Sequence, residues 1–199
     1  MRHVRLSIIV APAVWIGLAF AMILLPLRWV IAWLLATTVH ELFHILSLLV
    51  CGARIHEIRI ALSGAQITTD SLTHGKEIIS AVAGPLGGVL LLLLSRWLPK
   101  TAICAFVQSV FNLLPLVNFD GGRVLHGSLS LLLSENRADK VCDRVDGITR
   151  IFLCIFGIYA AWKLSWGLLC FLCCFFLLRR SKNPLQTRPS AGTIVLHES

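Results

Sequence analysis

Charge is what this chain has least of. Only 14% of its 199 residues are charged and just ten are acidic, against 57% hydrophobic residues. With a mean hydropathy of +0.82, that balance excludes an ordinary soluble domain and points to a polytopic membrane protein. The net charge of +8 comes with no block of Lys and Arg interleaved with aromatics, so nucleic-acid binding is rejected. In a membrane chain an excess of Lys and Arg belongs to cytoplasmic loops. A disulfide framework is also missing. The seven cysteines are odd in number, and most lie in apolar runs. Cys170-Phe-Leu-Cys173-Cys174 holds a C-x-x-C without a second pair and reads as apolar filler.

Against this apolar background one polar stretch stands out, Thr37-Thr38-Val39-His40-Glu41-Leu42-Phe43-His44. Four residues apart on a helix, His40 and His44 share a face about one turn apart and can grip one zinc ion. Glu41 falls beside it, completing the H-E-x-x-H pattern of zinc hydrolases. The surrounding run from Trp29 to Val50 is long and apolar enough to cross a bilayer. Packed core histidines are the rival reading, but a structural role gives no reason to put three polar groups in hydrocarbon.

Taken in order, the chain predicts about six spans. Ile8 to Leu25 is a first apolar run, read as an uncleaved span; a signal peptide ending at Ala19-Phe20-Ala21 competes with that reading. The histidine-bearing helix is the second, and Gly52 suits its cap. Ile58, Ile60 and Leu62, then Ala65 and Ile67, alternate with other residues around Ser63-Gly64, the pattern of a β-hairpin. A plain surface loop is the alternative. Glu77 to Leu98 forms a third span, containing Ala83-Gly84-Pro85-Leu86-Gly87-Gly88; small residues let helices approach closely in lipid. Thr101 to Leu133 reads as a fourth crossing, unwound around Pro115 to Gly122 with Asp120 at the break. Ser134 to Gly147 reads as a polar loop, and Ile148 to Trp162 and Leu164 to Leu178 as the fifth and sixth spans.

Orientation follows from the basic residues. Arg28, Arg96, Lys100 and Lys163 fall on one side, against thirteen on the other. The positive-inside rule therefore makes both termini and the hairpin cytoplasmic. The expected architecture is an all-α polytopic membrane protein with a small β-hairpin, its zinc site lying between the second helix and the broken fourth. Residues 1–180 form the membrane domain, with a core at about 30–133, and residues 181–199 a cytoplasmic polar tail.

A catalytic zinc needs three protein ligands and an open position. Of the ten acidic residues, only Glu41 and Asp120 lie well within expected spans. That makes Asp120 the natural third ligand beside His40 and His44. An ion pair with Arg123 that merely anchors the bend is the rival role. Glu41 is then free to act as general base. Asn112 is a candidate oxyanion donor, or else a cap for unwound backbone.

At this point the sequence resembles the site-2 protease family of intramembrane zinc metalloproteases. His40-Glu41-x-x-His44 matches that family's first motif. Asn112-x-x-Pro115 followed by Asp120-Gly121-Gly122 matches its second, whose aspartate is the third zinc ligand. Ala83-Gly84-Pro85 matches its Gly-Pro element, and the hairpin falls where the family has one. The resemblance covers about residues 30–133 and is greatest to the branch containing the stage IV sporulation protein FB. It implies one zinc per chain and cleavage of a membrane-tethered substrate such as a pro-sigma or anti-sigma factor. The chain departs from the family pattern in lacking a C-terminal CBS domain and a PDZ-like insertion. It also has Gly87-Gly88 where an Asn often follows the Gly-Pro, and Val117 and Asn118 where many members have prolines. A partner-binding protein without proteolysis would lack one of His40, Glu41, His44 or Asp120. A metal transporter would carry polar residues along several spans.

Overall fold

The computed structural model describes residues 7–61 and 64–164. Its elements are β1 (Ser7–Val10), α1 (Pro12–Leu24), α2 (Leu27–Val50), β2 (Ile55–Ala61), β3 (Gly64–Thr69), α3 (His74–Leu93), α4 (Pro99–Asn112), α5 (Asp120–Leu132) and α6 (Glu135–Leu164). Met1–Gly147 forms one compact unit, which holds the site; a second begins at Ile148, within α6.

The first apolar run is not one helix. Ser7–Val10 is a strand, and α1 starts only at Pro12. The reason is local. Ile8, Ile9 and Val10 are β-branched and favour extended backbone, while a proline fits the first helical turn but not a helix interior. The strand finds a partner far along the chain: β1 pairs in parallel with β2, which pairs antiparallel with β3. The expected hairpin is present and is part of a sheet ordered β1-β2-β3.

The interior of the first unit inverts the usual pattern of a water-soluble protein. Its buried apolar residues are mostly small, among them Ala32, Ala36, Ala81, Ala102 and Ala105, while large ones face outward, with Ile23 80% exposed. Buried with the alanines are polar groups: His40, His44, Ser80, Thr101, Ser109 and Asp120. That is how helices pack in lipid, where small residues permit close backbone approach and polar groups turn inward. The glycines of α3 show the closeness directly. A Cβ on Gly87 would lie 2.9 Å from the Phe43 ring of α2, and one on Gly88 would strike Ser109 Oγ of α4.

Among the described residues two helices, α2 and α3, have the length and composition to cross a membrane, and α1 is apolar but shorter. The segment read as a fourth crossing is broken where expected, into α4 and α5 with residues 113–119 between them. Gly121 and Gly122, however, belong to the first turn of α5 and not to the break. A Cβ on either would collide with a carbonyl oxygen of the break, Leu113 O or Leu116 O, so the glycines let the new helix start against the turn that precedes it.

The expected polar loop over Ser134 to Gly147 is helical, forming the first part of the 30-residue α6. Its polar composition hides a helical period: Ala138, Cys142 and Asp146 are buried, four residues apart along one face. The carbonyl of Ser134 receives the amides of Arg137 and Ala138 at 2.8 and 3.0 Å, starting the helix there. Helix α6 continues through the whole of the expected fifth span, Ile148 to Trp162; the expected sixth span falls almost wholly outside the described residues.

Candidate metal centre

His40 and His44 lie one turn apart on α2, 2% and 5% exposed. Asp120, the first residue of α5, meets them from the far side of the break. The Asp120 carboxylate oxygen Oδ2 is 3.1 Å from Nε2 of His40 and 3.1 Å from Nε2 of His44, and the two nitrogens are 3.2 Å apart. Tetrahedral zinc with bonds of about 2.0–2.1 Å sets its donors about 3.3 Å apart, so this triangle is of the right size. It is the one group of three such donors among the described residues.

Hydrogen bonding around the triangle decides which atoms face inward. His44 Nδ1 donates to the carbonyl oxygen of Ser80 on α3 at 2.7 Å. A neutral imidazole has one N–H, so Nε2 of His44 presents a lone pair. That lone pair points at an anionic oxygen 3.1 Å away and at a second imidazole nitrogen 3.2 Å away. With the Nε2 lone pair of His40 also turned inward, three electron-rich atoms at this spacing call for a cation among them. The donor set thus fits one zinc ion: two imidazole nitrogens, one carboxylate oxygen and room for a fourth partner.

Helix α3 makes the space. A Cβ on Gly84 would strike His44 Nε2 and lie 2.6 Å from His44 Cε1 and 2.7 Å from His40 Cε1. No other residue type fits there without displacing the imidazoles. The other Asp120 oxygen, Oδ1, is 3.8 Å from Arg123 NH1, one turn on in α5. Asp120 thus faces the two histidines with one carboxylate oxygen and Arg123 with the other.

Glu41 points to the hairpin. Its Oε1 accepts the amide of Ala65, at the start of β3, at 3.2 Å. The preceding Gly64 has φ +114°, a backbone conformation that side-chain-bearing residues rarely adopt, and a Cβ there would be 3.2 Å from the same oxygen. The sheet is thereby held against the centre. The Asn112 side-chain nitrogen, at the end of α4, lies 2.8 Å from His40 Nε2, which places its amide at the rim of the triangle. The structure brings four of the expected site residues, His40, His44, Asn112 and Asp120, into contact, while Glu41, next to His40 on α2, turns its carboxylate to Ala65 of β3. Sequence reasoning did not find Ser80, whose contribution is a backbone carbonyl without a residue-type signal. It also missed Asp146 of α6, whose Oδ1 accepts the Val117 amide at 3.0 Å. The buried stripe of α6 is the signal that would have found Asp146.

Comparison with known proteins agrees with this geometry. The chain is 24% identical over 137 residues to a zinc metalloprotease of Methanocaldococcus jannaschii, a match that takes in 62% of this chain and 40% of that protein. The chain therefore matches well under half the length of this relative. A solved site-2 protease from Methanocaldococcus jannaschii shares the fold, with a TM-score of 0.61 over 82% of each chain at 22% identity. Residues 13–134, from α1 to the end of α5, match a family of peptidases as a whole: the chain belongs to the Peptidase M50B-like family.

Proposed function

We propose that the chain is an intramembrane zinc metalloendopeptidase. It hydrolyses a peptide bond in or near a transmembrane segment of a membrane-tethered regulatory protein, such as a pro-sigma or anti-sigma factor. The observation that carries this reading is the triangle itself, in which His44 spends its N–H on Ser80 and turns a lone pair toward Asp120, with a carboxylate, Glu41, on the next residue after His40. The resemblance to the sporulation branch extends the reading to a pro-sigma factor as substrate.

In this reading His40, His44 and Asp120 hold the metal. When bound, zinc lowers the pKa of water and polarises a carbonyl. Glu41 takes the proton of the attacking water and delivers it to the leaving amine. The Asn112 amide donates to the oxygen on which negative charge develops. Strand β3 is an edge strand of the sheet, with its Ala65 amide beside Glu41. An extended substrate segment adding to that edge would pass the base with its backbone aligned. A substrate helix must unwind first, since a helical amide is hydrogen-bonded within its own helix.

The reading includes about six spans, with both termini cytoplasmic and residues 181–199 a polar tail. The outward-facing apolar side chains of α1 and α2 support burial in lipid.

The test separates the two carboxylates. Glu41→Gln abolishes cleavage of a tethered substrate while zinc stays bound, because only proton transfer is lost. Asp120→Ala abolishes cleavage and also weakens zinc binding, because a three-ligand site becomes a two-ligand one. Full zinc content and near-normal cleavage in Asp120→Ala would sink the assignment, and Asn118 would be tested next.

A further inference from the structure

We infer that Asp146 of α6 is a positioning residue for the third metal ligand, holding in place the broken segment from which Asp120 emerges. This rests on the metal-centre reading above. It starts from the backbone of the break, whose amides have left one helix and not yet entered the next. At membrane depth such groups need partners. Several find them nearby: Leu114 N–H donates to Phe111 O at 3.1 Å, Leu116 N–H to Leu114 O at 2.7 Å, and Phe119 N–H to Leu116 O at 2.9 Å. The amide of Val117 differs. It donates to Asp146 Oδ1, on another helix and 29 residues away, at 3.0 Å.

Asp146 is itself unusual on α6. Asp139 and Asp143 on the same helix are exposed, whereas Asp146 is 7% exposed. A buried carboxylate is costly unless donors answer it, so its place against the break is a constraint on both partners.

The contact reaches Asp120 by a short rigid route. Val117 precedes Asp120 by three residues. The first turn of α5 also rests on the anchored segment: a Cβ on Gly122 would strike Leu116 O and lie 3.1 Å from the Val117 Cα. A shift of Val117 is therefore passed to the turn that carries Asp120. Helix α6 also meets α5, where His126 Nε2 lies 3.0 Å from Asp139 Oδ1. The half of α6 before Gly147 thus touches both the break and α5. Asp146 acts on Asp120 through the Val117 backbone.

The test compares Asp146→Leu, which fills the volume without an acceptor, with Asp146→Asn, which keeps a side-chain oxygen for the Val117 amide. Purified full-length variants in detergent are titrated with a zinc chelator, with thermal unfolding followed alongside and Asp120→Ala as the control. The expected result is that Asp146→Leu loses zinc affinity by about 10–100-fold, the usual range for removal of a supporting contact, while Asp146→Asn stays within a few-fold of the parent. A lower unfolding temperature in Asp146→Leu with unchanged zinc affinity makes Asp146 a stabilising residue only and overturns the inference. Unchanged zinc affinity in Asp120→Ala overturns instead the metal-centre reading. Should Asp146→Leu fail to fold, amide hydrogen exchange in the unaltered protein decides. A Val117 amide that is protected upholds the anchor, and one that exchanges at open-loop rates refutes it.

Discussion

His44 and Ser80 join α2 to α3 through a single hydrogen bond, from the imidazole Nδ1 to a backbone carbonyl at 2.7 Å. That bond sets the tautomer of a metal ligand, and it exists because α3 lies unusually near α2. The nearness depends on Gly84, four residues after Ser80 and one turn along the same helix.

Gly84→Ala should therefore damage the centre although it adds one methyl group. The new Cβ has no space beside His44 Nε2 or the His40 ring, so either α3 retreats or the imidazoles turn away. Zinc affinity should fall at least about 10-fold, the scale on which lost supporting contacts are felt. Chelator titration of the purified variant checks this, and parental affinity would mean that α3 adapts at no cost to the site.

Gly64→Ala addresses the other face. Its φ of +114° is strained for alanine, and the methyl would press on Glu41 Oε1. Zinc content should be unchanged, because Glu41 is not among the three donors. The rate of cleavage should drop by about 10-fold or more, since a misplaced base costs what general catalysis supplies. Loss of zinc in this variant would place the hairpin's influence on the ligands.

Proline at Ile60 tests the sheet as a unit. Ile60 lies on the central strand, paired with Val10 on one side and Ala65 on the other. A proline there removes an amide donor and disfavours a central strand position. Cleavage of a membrane substrate should fall while zinc content holds. Unaltered cleavage would show that the sheet takes no part in presenting the substrate.

Topology is checked with reporters. Fused after Arg180, a reporter should register as cytoplasmic; inserted at Lys100, in the first turn of α4, it should register as external. An external C-terminal reporter would rule out an arrangement of about six spans with both termini inside.

The removal of metal gives a further expectation. Dialysis against a chelator should abolish cleavage, and zinc should restore it. Magnesium should not, because it seeks six oxygen donors in octahedral array and two of the three donors here are imidazoles. Restoration by magnesium alone would contradict the donor assignment.

Much of the site was legible in the sequence because its signals are periodic or covalently close. Two histidines at helical spacing in an apolar run, a carboxylate beside one of them, and a second carboxylate at a proline- and glycine-marked break are all properties of residue type and order. The hairpin was legible from alternation. What misled was composition. Ser7–Val10 reads as the start of a helix until its β-branched residues find an edge on β2, a partner more than forty residues away. The first half of α6 reads as a loop because polar residues outnumber apolar ones there, although a buried stripe runs through it.

By itself the sequence determined which atoms can bind a metal and how apolar their surroundings are, since both follow from side-chain chemistry. Only the tertiary structure decided that Asp120 Oδ2 lies 3.1 Å from each histidine, that the Ser80 carbonyl accepts a hydrogen bond from His44, and that Asp146 of α6 accepts the Val117 amide of the break. These are contacts between groups remote in the chain, and two of them use backbone atoms that every residue carries. Local order holds no record of such contacts, because they exist only once close packing has brought the segments together.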